Sequence, residues 1–215
     1  MTAIEASVWG HSGLRLERSG ERLVLDPGMF TAPEVLADAT AVLITHEHPD
    51  HVVPETLAPT MAARGLPVWA PTSVIEALAA AGAPRELLRA VDAGEAFTAA
   101  GFEVQALGGT HAVIHPKLPP VANLAYLVEG AVLHPGDSFT APPEGSHVQL
   151  LALPVSAPWL KLAEAVDYAA EVAPALAVPI HDAILSDAGK ALVDRVGAGL
   201  LGPVPYRRLT PGEEF

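Results

Sequence analysis

Short apolar runs alternate with polar breaks along most of the chain, and their lengths separate strands from helices. Ala6 to Trp9, Leu14 to Arg18 and Leu23 to Asp26 are brief extended candidates, divided by Gly13 and by the turn Ser19-Gly20-Glu21, which is the pattern of a small antiparallel meander. Asp26-Pro27-Gly28 ends the third of them. Pro33 to Ala39 reads as a short helix, and Ala41-Val42-Leu43-Ile44, with no polar break, as a buried strand. Pro54 to Ala63 has helical spacing, Val68 to Ala70 is a brief strand, and Thr72 caps an Ala-rich helix through Ala81 that Gly82 and Pro84 terminate.

The second half repeats the rhythm. Strands are predicted at Phe102 to Leu107, Asn123 to Glu129, Ala131 to His134 and Leu150 to Pro154, the middle pair joined as a hairpin across Gly130. Leu160 to Ala173 and Asp187 to Val196 are helical, Ala175 to Pro179 is a strand between them, and Tyr206 to Leu209 can close a sheet edge. Hairpins mixed with single alternations of strand and helix point to an α/β chain with two mixed sheets packed face to face and helices outside, rather than one doubly wound sheet.

Composition changes this picture little. With 215 residues, half of them hydrophobic, and no linker or shift in composition, one domain over residues 1–215 is expected. The formal charge of −13 opposes broad binding to nucleic acid or to an anionic membrane surface, which leaves a small molecule as the expected partner. No run is long and apolar enough to span a membrane, and Met1 to Ser7 lack the basic and apolar regions of a leader, so a soluble cytoplasmic protein is expected. A homo-oligomer is open at this length. There is no cysteine, so any metal must be held by nitrogen and oxygen donors.

Such donors are concentrated in Thr45-His46-Glu47-His48-Pro49-Asp50-His51, directly after the buried strand. A helix would turn His46 and His48 to opposite faces, so they share one ion only on extended or looped backbone, which Pro49 favours. Asp50 and His51 are adjacent and diverge, and more naturally serve a second ion beside the first. Further ligands are needed at other strand ends. Gly108-Gly109-Thr110-His111, His134-Pro135-Gly136-Asp137-Ser138 and Val178-Pro179-Ile180-His181-Asp182 each follow a predicted strand, and Asp137 could give one oxygen to each of two cations.

This order of motifs resembles the metallo-β-lactamase superfamily, whose signature is His-x-His-x-Asp-His followed by His, Asp and His. The resemblance covers almost the whole chain and implies an αββα sandwich of two mixed β-sheets flanked by helices. It implies a first metal on His46, His48 and His111, a second on Asp50, His51 and His181, and Asp137 bridging them. Asp26, in Leu25-Asp26-Pro27-Gly28, matches the superfamily's early structural aspartate, which supports the metal loop from behind the ligands. Trp9-Gly10-His11-Ser12 is similar to the Leu-Gly-His-Ser opening of the branch that contains ascorbate-6-phosphate lactonase. The absence of cysteine argues against the commonest secreted β-lactamases, and intact His48 against flavodiiron oxygen reductases.

The activity implied is that of a dinuclear metal-dependent hydrolase. Two divalent ions, Zn2+ first and Mn2+ or Fe2+ as alternatives, would share a bridging water whose pKa falls to about 7 and which attacks a small ester, lactone or phosphoester. Asp50 is the expected catalytic group, orienting that hydroxide and shuttling its proton. Substrate contacts are expected from His11, from Ser12 and Asn123, and from His115 and Lys117 on a Pro-rich loop able to bind an anionic or carbonyl group, while Trp159 is an apolar wall or a core anchor. The alternatives are a phosphodiesterase or nuclease of the same superfamily, which would want a basic groove, and a metal-binding sensor or interaction protein without turnover.

Overall fold

The computed structural model describes residues 4–214; Met1 to Ala3, part of the stretch that lacks leader character, and Phe215 lie outside them. Side chains alternate across extended backbone, so a strand covered on both sides must be apolar at every position. In β3 (Glu21–Leu25), Leu23 and Leu25 face one apolar layer and Val24 another, and in β4 (Ala41–Leu43) the same split separates Ala41 and Leu43 from Val42.

These strands belong to a six-stranded sheet in the order β1 (Glu5–Val8), β2 (Leu14–Arg18), β3, β4, β5 (Val68–Ala70), β6 (Leu88–Ala90). The first three pair antiparallel and the rest parallel. A second six-stranded sheet runs β7 (Ala96–Ala99), β8 (Phe102–Gly108), β9 (Leu124–Val128), β10 (Val132–His134), β11 (Leu150–Pro154), β12 (Leu176–Ile180), antiparallel as far as β10 and parallel beyond it. The sheets pack face to face over Leu16, Leu23, Leu43, Phe102, Tyr126 and Ile180 among others. Helices α1 (Pro54–Arg64) and α2 (Thr72–Ala80) cover the outer face of the first sheet through Leu57, Met61, Val74 and Leu78. Helices α3 (Leu162–Val172) and α4 (Asp187–Leu200) cover the second through Ala165, Tyr168, Ala169 and Val193. The result is the expected αββα sandwich.

Several local expectations are corrected. Strands β6 and β7 have no counterpart among the predicted elements, because Arg89, Ala90, Ala96 and Thr98 are exposed at the sheet edges and leave no apolar run. Pro33 to Ala39 is only a 3₁₀ turn over Pro33–Leu36, since Ala37 has already returned to extended backbone. Thr72 is the first helical residue of α2, with Pro71 at the cap. Tyr206 makes a single parallel bridge to Ala177 beside β12 and does not extend into a strand.

The pairing directions bring the ligand-bearing loops to one side of the sandwich. Because β1 is antiparallel to β2 and β2 to β3, strands β1, β3 and β4 run the same way. By the same reasoning β8, β10 and β12 run together in the second sheet. Every predicted ligand comes after the C-terminal end of one of these strands, where open sheets present their binding loops.

Leu43 is fully buried between the sheets. Leu43→Ala is expected to cost about 2–5 kcal/mol in denaturant unfolding, while Leu192→Ala, on the exposed face of α4, should stay within about 0.5 kcal/mol of the parent.

Candidate metal centre

The loop after β4 is shaped from behind by Asp26. Its carboxylate is fully buried, accepts hydrogen bonds from the Thr45 amide (2.8 Å) and the Thr45 hydroxyl (2.7 Å), and accepts a third from Nδ1 of His51 (2.7 Å). Gly28 is required beside it, because a Cβ there would lie 1.9 Å from the Asp50 carbonyl oxygen. Asp26, His11 and His181 hold left-handed φ of 47°, 47° and 62°, uncommon for residues with side chains and frequent where a site imposes the backbone.

The outer hydrogen bonds decide which ring nitrogens face inward. His51 donates through Nδ1 to Asp26, His181 through Nδ1 to the Ser156 carbonyl (2.6 Å), His111 through Nδ1 to the Ala112 carbonyl, and His46 through Nδ1 to the Thr45 hydroxyl (3.0 Å). Each neutral ring then carries its lone pair on Nε2. Those Nε2 atoms converge on Asp137: His111 stands 3.2 Å and His46 4.0 Å from Oδ2, whereas His51 stands 3.0 Å and His181 3.2 Å from Oδ1. His48 presents Nδ1 to His46 Nε2 at 3.0 Å, and Asp50 Oδ2 lies 3.3 Å from His181 Nε2.

Two donor sets result, each within 4.8 Å across: His46, His48, His111 and Asp137, and beside them His11, Asp50, His51 and His181. Lone pairs facing lone pairs and carboxylate oxygens repel unless a cation sits among them. Asp137 Oδ1 and His181 Nε2 are buried with no aligned hydrogen-bond partner among the described residues. The donor chemistry therefore fits divalent ions, and nitrogen with carboxylate oxygen suits a borderline metal.

Protons can occupy the same space when no metal does. Burial opposes charge on His51, but Asp26 and Asp137 on either side outweigh it and hold its pKa up to about 10. Burial likewise opposes charge on His181, and the adjacent carboxylates of Asp137 and Asp50 raise it to about 9. His46 is driven the other way, first by burial and then by the neighbouring His51 charge. Asp137 is strongly desolvated, yet the His51 charge and the His111 and His181 rings beside it keep it well below the ordinary carboxylate range.

The remaining predicted residues are distributed unequally. His11 is buried beside Asp50: the Ala183 amide donates to its Nδ1 (3.3 Å), so its Nε2–H points at Asp50 Oδ2 (3.1 Å). Ser12 is buried near His51 Nε2 at 3.4 Å. Asn123 is consumed by the Asp137 turn, accepting from the Asp137 amide and donating to the Pro135 carbonyl. His115 and Lys117 are exposed on the loop beyond His111, where the Lys117 amide donates to His115 Nδ1 (3.1 Å). His134 is fully buried and donates through Nε2 to the Ser12 carbonyl, whereas His147 is exposed. Asp182 is paired with Arg208, and Lys190 lies 3.8 Å away. Trp159 does what composition alone could not suggest, donating its indole N–H to Asp137 Oδ2 at 2.8 Å.

The geometry agrees with sequence comparison. The family described as the beta-lactamase superfamily domain matches residues 6–181. The chain belongs to this superfamily. Protein Rv0786c of Mycobacterium tuberculosis is 42% identical over 188 residues, covering 83% of this chain and 84% of its own. UPF0173 protein PF0020 of Pyrococcus furiosus is 26% identical over 188 residues, covering 84% and 85%. Among solved structures, Igni18, a metallo hydrolase from Ignicoccus hospitalis, superposes with a TM-score of 0.74 over 99% of this chain and 97% of its own at 20% identity. The superfamily's fold is thus shared at full length.

Two outcomes are expected of the metal-free protein. Asp26→Ala strips three donors of a buried charged acceptor, and unfolding in urea should show a loss of about 3–5 kcal/mol. His51 and His181 bind their protons more tightly folded than unfolded. That stabilisation is complete below their ordinary value of 6.5 and disappears as pH rises through about 9 and about 10. Melting followed by circular dichroism should therefore show the midpoint falling across that window.

Proposed function

We propose that this chain is a hydrolase working with two divalent ions, the first held by His46, His48 and His111, the second by Asp50, His51 and His181, with Asp137 giving one carboxylate oxygen to each. The observation that carries this reading is the division of Asp137: Oδ2 faces Nε2 of His46 and His111, and Oδ1 faces Nε2 of His51 and His181. Bound divalent ions would lower the pKa of a shared water to about 7 and polarise the scissile bond. Zinc suits the donors best, with manganese or iron as alternatives. The proposed substrate is a small ester, lactone or phosphoester, lactones being favoured by the Trp9-Gly10-His11-Ser12 opening and its similarity to the ascorbate-6-phosphate lactonase branch.

The protein's own groups then share the work. Asp50 is partly open to solvent, unlike Asp137, and its carboxylate, held at Oδ2, takes the proton of the attacking water and returns it to the leaving group. His11 fixes that carboxylate by donating to the same oxygen from the side away from solvent. Trp159 fixes Asp137 by donating to its Oδ2. His115 and Lys117 meet the substrate at the mouth. We place the enzyme in the cytoplasm as one domain; among the described residues no helix is long and apolar enough to cross a membrane.

Elemental analysis after reconstitution should find about two ions per chain in the parent and a loss of metal in His46→Ala and Asp137→Ala. Trp159→Phe, which keeps the ring and removes the donor, should retain both ions but weaken them about tenfold or more against a chelator. Asp50→Ala should lower turnover about 10²–10⁴-fold. One ion or none in the reconstituted parent would overturn the two-ion reading.

A further inference from the structure

Large apolar side chains left in water are unevenly placed on this molecule. Met29, Phe30, Val113, Ile114, Leu118 and Ile184 are exposed, and each lies on a loop that also carries Asp26, His111 or His181. Among the described residues, Leu192 and Leu200, on α4, are the other exposed large apolar residues. Scattered apolar residues need no explanation, but a set gathered on the ligand-bearing loops does. Phe30 comes within 5.2 Å of the His11 ring, edge on.

The loop after β8 shapes this rim into a cavity. A space of about 200 Å³ is lined by residues 110–116 and 118–121, with His111 in its wall beside Val113, Ile114, Leu118 and Val121. The loop's root is fixed to the centre, because the Ala112 amide donates to the Asp137 carbonyl (2.8 Å) and the His111 amide to that of Val121 (3.0 Å). No lysine, arginine, aspartate or glutamate lines the cavity, and Lys117 is outside its lining. Pockets that hold a whole ligand run to roughly 300–1,000 Å³, so this one accommodates a single arm of a substrate.

We infer that this cavity receives the apolar arm of the substrate, and that the bond cleaved is therefore a carboxylic ester or lactone carrying an aliphatic or aryl acyl group. The inference rests on the hydrolase reading above and narrows it: a polyanion would find no lysine or arginine there, and the lining apart from Thr110, His111 and His115 is apolar. The reaction consumes one water. Its oxygen bonds to the acyl carbon, and the bond from that carbon to the alkoxide oxygen breaks. That oxygen takes one proton of the water to become an alcohol, which departs from an ester and stays tethered in an opened lactone, and the other proton passes to solvent as the carboxylate forms.

The test uses zinc-loaded full-length protein and 4-nitrophenyl acetate, butyrate, hexanoate and octanoate, with bis(4-nitrophenyl) phosphate as the anionic comparison. A buried methylene favours binding about three- to fourfold, so kcat/KM should climb by about that factor per methylene to hexanoate and level off at octanoate as the arm outgrows the cavity. Ile114→Ser and Leu118→Ser should each lower the hexanoate-to-acetate ratio about fivefold, while Leu192→Ser leaves the ratio unchanged. Calorimetry should show hexanamide binding at least about tenfold more tightly than acetamide, and Leu118→Ser narrowing that difference about fivefold. A flat or falling ester series, a ratio untouched in both loop variants, or phosphodiester turnover above every ester would overturn the acyl arm and leave the hydrolase intact. No turnover of any ester or phosphodiester by protein holding two ions would instead sink the hydrolase reading itself.

Discussion

A carboxylate sealed from water between two sheets must be met by donors on every lone pair it offers, and Asp26 is met by groups that all belong to the metal loop. The Thr45 amide and hydroxyl and the His51 ring converge on it, so the loop after β4 has one arrangement in which the buried charge is satisfied. Fixing Thr45 fixes more than itself. Its hydroxyl also faces Nδ1 of His46, which sets that tautomer, and its carbonyl accepts from the Leu124 amide at the start of β9, tying the loop to the other sheet. One interior anion thereby orients ligands in both donor sets.

The two halves of the centre come from different sheets, so their alignment depends on contacts between them. The His181 amide donates to the His11 carbonyl (2.9 Å), and the Tyr126 hydroxyl reaches across to the Ile44 carbonyl (2.9 Å) just before the metal loop. Both His11 and His181 keep left-handed backbone where they meet. Residues with side chains adopt that region at some cost, and here the cross-sheet hydrogen bond holds two of them there at once. The strand ends bring the donors near, and within each set the donor atoms lie within 4.8 Å of one another.

Much of this was legible in the sequence for identifiable reasons. Strands such as β4 and β11 are buried on both faces and read as unbroken apolar runs, and the ligand-bearing strand ends announce themselves because histidine and aspartate come directly after such runs. Edge strands β6 and β7 were not, since Arg89 and Thr98 face water and resemble loop. The indole of Trp159 lies far from Asp137 in sequence, and its hydrogen bond depends on how the loop before α3 folds back, which no local pattern encodes. The same holds for His11. Its motif marked it as part of the site, but only the Ala183 amide at its Nδ1 reveals which nitrogen carries the proton and hence that it donates to Asp50.

That difference in tautomer separates two jobs that sequence alone leaves merged. His46, His51, His111 and His181 are anchored through Nδ1–H and offer a lone pair inward, the arrangement of ligands; His11 is anchored as an acceptor and offers a proton inward, the arrangement of a group that positions an anion. Its target, Asp50, is also the carboxylate of the two donor sets that remains 23% open at its side chain, against 4% for Asp137. A proton taken from water must eventually be given up to leaving group or solvent, and a buried carboxylate locked between four imidazoles has no route by which to do so. Asp137 is the enclosed carboxylate of the pair, and the opening beside Asp50 supports the proton exchange proposed for it.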